Sequence, residues 1–154
     1  MREIVRTTEL SFSYDQTPVV REINLAIHAG DIYGFIGPNG AGKSTTIKLL
    51  LSLLTPHRGE IEIFGMSLRA QRIAILRKIG ALVETPSLYP HLTGEENLEV
   101  LRRIYDVPRA RIAHVLEQVG LVGQERKKVK EYSLGMKQRL GIAQTLLHEP
   151  QLLI

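Results

Sequence analysis

The sequence contains no cysteine, which removes disulfide scaffolds, thiol nucleophiles and thiolate zinc sites and fits a reducing cytoplasm. Long apolar runs are also missing. The longest, Ile47 to Leu54, is broken by Lys48 and Ser52, well short of the about 18 residues that cross a bilayer as a helix. Charge of one sign does not dominate: the formal net charge is +4, and each half of the chain carries +2. The one dense basic cluster, Arg126-Lys127-Lys128-Val129-Lys130, lies between Glu125 and Glu131. It reads as a solvated loop or helix end, so no nucleic-acid partner is expected. The start, Met1-Arg2-Glu3-Ile4-Val5-Arg6, carries a carboxylate and no apolar core, unlike a secretory signal. The histidines at 28, 57, 91, 114 and 148 include no pair at metal-ligand spacing. With 13 Gly and 7 Pro in 154 residues, 44% apolar and 23% charged, what remains is an ordinary globular chain of one domain, two at most.

Patterning supplies the elements. Ile4 to Tyr14 and Val19 to Ile27 are rich in β-branched and apolar residues and predict an antiparallel hairpin with a longish turn at Asp15-Gln16-Thr17-Pro18. Ile32-Tyr33-Gly34-Phe35-Ile36 is nearly continuously apolar and predicts a strand buried on both faces. A helix is expected from Lys43 to Leu54, stopped by Thr55-Pro56. The alternation of Glu60 to Phe64 predicts a strand, Arg69 to Lys78 a helix and Ile79 to Val83 another strand. From Thr85 to about Leu147 the period is helical. Thr93 and Glu96 form a capping box, Pro108 suits a first helical turn, Gly120 a helix stop and Ser133 an N-cap. Gln151-Leu152-Leu153-Ile154 begins a further buried strand.

Between the expected strand at 32–36 and the next helix stands Gly37-Pro38-Asn39-Gly40-Ala41-Gly42-Lys43-Ser44-Thr45. This satisfies G-x-x-x-x-G-K-[ST] in the strand-then-helix context the motif requires. Phosphates need many donors converging from one side. Glycines let successive N–H groups point inward, and the helix N-terminus adds amides and the positive end of its dipole. Lys43 can reach the β- and γ-phosphates, the Ser44 hydroxyl Mg²⁺ and Thr45 the α-phosphate. ATP and Mg²⁺ are the expected ligands.

Residues 37–45 resemble the Walker A sequence of ABC-type ATPases, the nucleotide-binding subunits of ABC transporters. Other landmarks follow in that family's order across essentially the whole chain. Tyr14 matches the aromatic that stacks on adenine. Glu84, after Ile79 to Val83, stands where a glutamine is usual, and the resemblance makes it a contact for Mg²⁺ and the attacking water. The segment Thr85 to Leu98 is similar to exporters conferring bacitracin resistance or lantibiotic self-immunity, several of which carry a glutamate there. Ser133-Leu134-Gly135-Met136 aligns with the signature Leu-Ser-Gly-Gly-Gln, keeping Ser133 and Gly135, and is implied to clamp the γ-phosphate held by an opposite subunit.

The resemblance implies an α/β fold: a P-loop core with an N-terminal antiparallel β-subdomain and an inserted helical subdomain. Residues 1–154 are read as a single ABC-type ATP-binding domain, with the β-subdomain and core at 1–84, the helical subdomain at 85–147 and the start of the Walker B strand at 148–154. That strand's acidic pair is not reached, so the chain is read as an N-terminal piece whose C-terminal part is missing and which alone hydrolyses ATP negligibly. The complete subunit is implied to be an ATPase, with Lys43 and Glu84 as catalytic residues. It would pair with a second copy and power an integral-membrane permease from the cytoplasmic face, with a peptide antibiotic as cargo. Alternatives are a soluble ABC ATPase acting on DNA or ribosomes, or a module that binds nucleotide without hydrolysis.

Overall fold

The computed structural model describes residues 2–154, which separate into two compact units meeting at Arg77 and Lys78. In the first unit, β1 (Glu3–Tyr14) and β2 (Thr17–His28) pair antiparallel, β3 (Arg58–Ile63) joins the other side of β1, and β4 (Met66–Ser67) closes the sheet in the order β2-β1-β3-β4. The turn is tighter than expected: Tyr14 pairs with Thr17, so Asp15 and Gln16 alone make it, with Asp15 at φ 52°. Pro18 therefore lies within β2. It is tolerated there because β2 is an edge strand, where a missing N–H faces no neighbour. Val5, Leu10, Val20 and Ile63 are buried.

The strand expected at 32–36 does not form. Residues 31–38 have no regular structure, and Ile32 and Ile36 are essentially fully exposed. A strand in a parallel sheet exists through its ladder bonds, and among the described residues no strand pairs with this one. The helix after it, α1 (Lys43–Leu50), ends four residues before the expected stop. Ser52 at φ 54° turns the chain, with its N–H donating to Leu49 O and that of Leu53 to Lys48 O. This is a Schellman closure built on serine instead of the usual glycine. The helix α2 (Arg72–Leu76) is similarly shorter than its apolar pattern.

The second unit carries the helices. β5 (Ile79–Gly80) pairs parallel with β6 (Leu152–Leu153). α3 (Gly94–Tyr105) begins at the Thr93–Glu96 capping box, with both reciprocal bonds formed. α4 (Ala110–Gln118) starts two residues after Pro108, and Gly120 at φ 66° follows its end. α5 (Leu134–Leu146) is capped by the Ser133 hydroxyl, which accepts from Met136 N–H at 3.2 Å. Leu98, Val115, Leu140 and Leu147 are wholly buried between these helices, each worth about 1.5–3 kcal/mol of transfer free energy.

Two arginines tie α4 and α5 together reciprocally. Arg111 of α4 donates to Leu146 O and Leu147 O at the end of α5, while Arg139 of α5 donates to Gly120 O just past the end of α4. Each helix thus supplies a cation to the other's unsatisfied terminal carbonyls, where the dipole is negative.

His148, just beyond α5, stacks on Tyr105 with ring centroids 4.3 Å apart, and its Nε2 lies 3.1 Å from Ile79 O. Burial pushes the imidazole below its ordinary value of 6.5, because desolvation disfavours the charged ring. The unfolded chain then takes up a proton that the folded chain refuses, so stability falls as pH drops below about 6.5. Glu96 and Glu99 are lowered from 4.5, Glu99 to about 2, so their contributions are lost only at more acid pH. Thermal melts between pH 7.5 and 5 are expected to fall in the native protein and to flatten in His148→Phe; parallel curves would contradict this.

Candidate functional site

The loop from Gly37 to Gly42 owes its shape to two left-handed glycines, Gly40 at φ 83° and Gly42 at φ 84°, a region closed to most side chains. Gly42 is also pressed against the hairpin: a Cβ there would lie 2.7 Å from Val19 O. It is the N-cap of α1 and offers no side chain to the first turn, leaving those amides for a ligand. Lys43 folds back over the loop, its Nζ donating to Gly37 O and Pro38 O at 2.7 Å each. Ser44 is exposed while Thr45 is buried. Thr46, also buried, donates its hydroxyl to Gly42 O.

Curled main chain, an ammonium held over it and an uncapped helix start are what a polyphosphate requires. The ammonium occupies two neutral carbonyls, which a phosphate oxygen can replace with an acceptor of opposite charge. For a metal, the described residues hold no cluster of three or more His, Cys, Asp or Glu side chains. Mg²⁺ commonly needs no such cage, taking one or two protein oxygens and completing its shell with phosphate and water. The exposed Ser44 hydroxyl fits that donor set.

Tyr14 closes β1 at the hairpin tip. It is half exposed and makes a T-shaped contact with Phe12, centroids 4.9 Å apart and planes at 85°. Phe12 pairs across the hairpin with Val20, and Val20 is in turn the neighbour of Gly42. The hairpin tip and the phosphate loop are therefore built on the same stretch of β2.

In the second unit Glu84 is exposed and has φ 65°, a conformation uncommon for a residue with a Cβ. It lies two residues past Leu82, whose N–H makes the last bond to the β6 side, at Ile154 O. The chain after it is set down on α5 at Gly141, where a Cβ would lie 2.6 Å from Pro86 Cβ. Ser133 to Met136 stand at the other end of α5, eight residues earlier. That is about 12 Å along the axis at 1.5 Å per residue. Leu134 is exposed, and nothing lies within 4 Å of a Cβ at Gly135. The loop after Glu84 and the Ser133 segment thus share one helix.

Three residues that position these segments carry no motif. Asn97, fully buried, accepts from Tyr89 N–H and donates to Tyr89 O and Thr93 O, stapling the loop after Glu84 to α3. The sequence signal is an amide four residues before Leu101, on the apolar stripe of α3. Tyr132 is buried and donates to Gln124 O at 2.7 Å, fixing the residue before Ser133. Burial, and then the Glu125 carboxylate, raise its phenol above 10.0. Gly141 completes the set. Residues 81–83 and 85–89, but not Glu84, line a cavity of about 690 Å³ with Val100, Ile104, Gln144 and His148, so Pro86, Leu88 and Tyr89 border an open groove.

Gly42→Ala would have to move the hairpin backbone or leave the left-handed region. A loss of about 1–2 kcal/mol in stability, accompanied by weaker ATP binding, is expected in denaturant melts and calorimetry. An unchanged pair of values would contradict the close approach. Asn97→Ala leaves the Tyr89 amide and carbonyl unsatisfied, with an expected cost of about 1–3 kcal/mol. Hydrogen exchange should quicken around Tyr89; exchange as slow as in the native protein would contradict the staple.

The family model described as "ABC transporter" matches residues 20–154. The bacitracin transport ATP-binding protein BcrA of Bacillus licheniformis is 48% identical over 155 residues, covering all of this chain and 51% of that protein. The lantibiotic transport ATP-binding protein SrtF of Streptococcus pyogenes is 40% identical over 98% of the chain and 65% of its own length. A solved ATP-binding subunit of an ABC transporter superposes with a TM-score of 0.85 at 32% identity, covering 97% of the chain and 64% of that structure. The chain therefore spans about half to two thirds of the relatives it matches. Among the described residues no helix is long and apolar enough to cross a membrane. The α/β architecture, the loop at 37–45 and a family match running from Val20 to Ile154 converge on one placement: this chain belongs to the ABC transporter family.

Proposed function

We propose that the chain grips ATP for a subunit whose hydrolysis of that nucleotide drives export through a membrane permease. The observation that carries the nucleotide assignment is the Lys43 ammonium seated on Gly37 O and Pro38 O above an uncapped helix start. In this reading Gly37, Pro38, Asn39, Gly40, Ala41 and Gly42 wrap the phosphate tail, with main-chain N–H groups of all but Pro38, which has none, as the donors. Lys43 exchanges its two carbonyls for the β- and γ-phosphates, Thr45 meets the α-phosphate and Tyr14 stacks on adenine. Ser44 and Glu84 supply oxygens to Mg²⁺, which when bound neutralises phosphate charge and orients the tail for attack. Glu84 also orients the water, so Lys43 and Glu84 are the proposed catalytic residues. As a carboxylate Glu84 brings a full negative charge where an amide would bring only a dipole.

The whole of residues 1–154 then belongs to one ATP-binding domain. Ser133, Leu134, Gly135 and Met136 face the nucleotide of a second copy, to which the α5 N-terminus and the Ser133 hydroxyl donate. The pair sits against the cytoplasmic face of the permease, and BcrA and SrtF, named for bacitracin and lantibiotic transport, support a peptide antibiotic as cargo.

Lys43→Ala removes a charge-assisted contact worth about 1.5–3 kcal/mol, so calorimetry on the full-length protein should show ATP affinity about tenfold to a hundredfold weaker. Equal affinity would overturn the assignment. Gly135→Ala meets no atom within 4 Å, so it should leave the melting temperature unchanged or higher while lowering ATP turnover in the assembled transporter. Native turnover in this variant would remove the segment from the nucleotide contact.

A further inference from the structure

The aromatic group at the end of β1 has a third member. His57, one residue before β3, lays its ring on Phe12, with centroids 4.9 Å apart and planes at 26°. Phe12 thus contacts both rings, His57 stacked and Tyr14 T-shaped. The main chain of His57 donates to Ser11 O at 3.0 Å, and its ring Nδ1 accepts from Ser13 N–H at 3.3 Å. The second bond places the ring proton on Nε2.

The backbone explains why such a ring is needed. β3 pairs with β1 only as far as Ser11, opposite Arg58. On the other side Ser13 pairs with Pro18, two residues into β2. Residues 12–14 therefore run past the last β3 partner, and the Ser13 amide has no strand carbonyl to meet. The imidazole nitrogen takes that carbonyl's place and extends the ladder by one bond. Tyr14 follows directly: it pairs with Thr17 across the hairpin, and the residue before it is held by His57.

We infer that His57 is a positioning residue for nucleotide binding: it holds the Phe12–Tyr14 pair in the orientation that receives an adenine ring. The inference rests on the adenine contact proposed for Tyr14. A base stacks well only on a face already fixed, since ordering a loose side chain consumes part of the gain. His57 would thus act on the base end of the ligand and leave the phosphate end alone.

The test separates those ends. Dissociation constants for ATP and for inorganic tripolyphosphate are measured on the full-length protein and on its Tyr14→Ala, His57→Ala and His57→Phe variants. Base stacking is worth about 1–3 kcal/mol, and a part of that corresponds to about threefold to tenfold weaker ATP binding in His57→Ala. Tripolyphosphate binding should be unchanged, which also shows that the loop at 37–45 remains folded. His57→Phe keeps the stacking face but not the acceptor and should fall between His57→Ala and the native protein. Native ATP affinity in His57→Ala, with a clear loss in Tyr14→Ala, would overturn the role of His57 while leaving the adenine contact intact. Full ATP affinity in Tyr14→Ala would remove the adenine contact itself, and the inference with it. If His57→Ala loses both ligands together, His57→Phe decides: an ATP-selective loss supports positioning, and a parallel or absent loss overturns it.

Discussion

The close approach of Gly42 to Val19 O is the constraint on which the first unit is organised. It seats the start of α1 on the hairpin, which no side chain at position 42 would permit. It sets the curl that turns the loop's amides inward. Through Val20 and its cross-strand partner Phe12 it also ties the phosphate loop to the aromatic tip at Tyr14. One backbone contact thus relates the loop to the aromatic tip, and Lys43 lies over the loop on the carbonyls of Gly37 and Pro38. Pre-organisation of this kind lowers the ordering cost that weakens binding by floppy loops.

The second unit follows a different logic, in which helices place two short segments. Arg111 and Arg139 cap each other's helices, so α4 and α5 are fixed at their ends as well as through their apolar faces. α5 then serves as a ruler: Ser133 opens it, and Gly141 receives Pro86 and with it the loop that follows Glu84. Asn97 fastens the far end of that loop to α3. The loop after Glu84 and the Ser133 segment are thus both positioned by α5.

Much of this was legible in residue order because it depends on local chemistry. The glycine spacing of 37–45, the Thr93–Glu96 box, the Ser133 cap and the alternation of β3 each encode their own geometry within a few residues. The strand expected at 32–36 failed for the opposite reason: apolar character marks a strand only if ladder partners exist, and among the described residues none pairs with it. The ends of α1 and α2 were set by turns that carry no usual signal, Ser52 in place of glycine being the clearest. Asn97, Tyr132, Gly141 and His57 had no motif because each answers a need created by a distant segment. An unpaired amide, a close-packed proline and an open ladder end appear only once the chain is folded.

The central claim is that main-chain amides of the loop and first turn, together with one ammonium, hold a polyphosphate. Amide resonances of Gly40, Gly42, Lys43 and Ser44, followed by nuclear magnetic resonance as ATP and then tripolyphosphate are added, test it most directly. The account predicts large, saturable shifts at these four positions with either ligand, and shifts at Tyr14 with ATP alone. Resonances at 40–44 that stay in place while nucleotide binds elsewhere would contradict it.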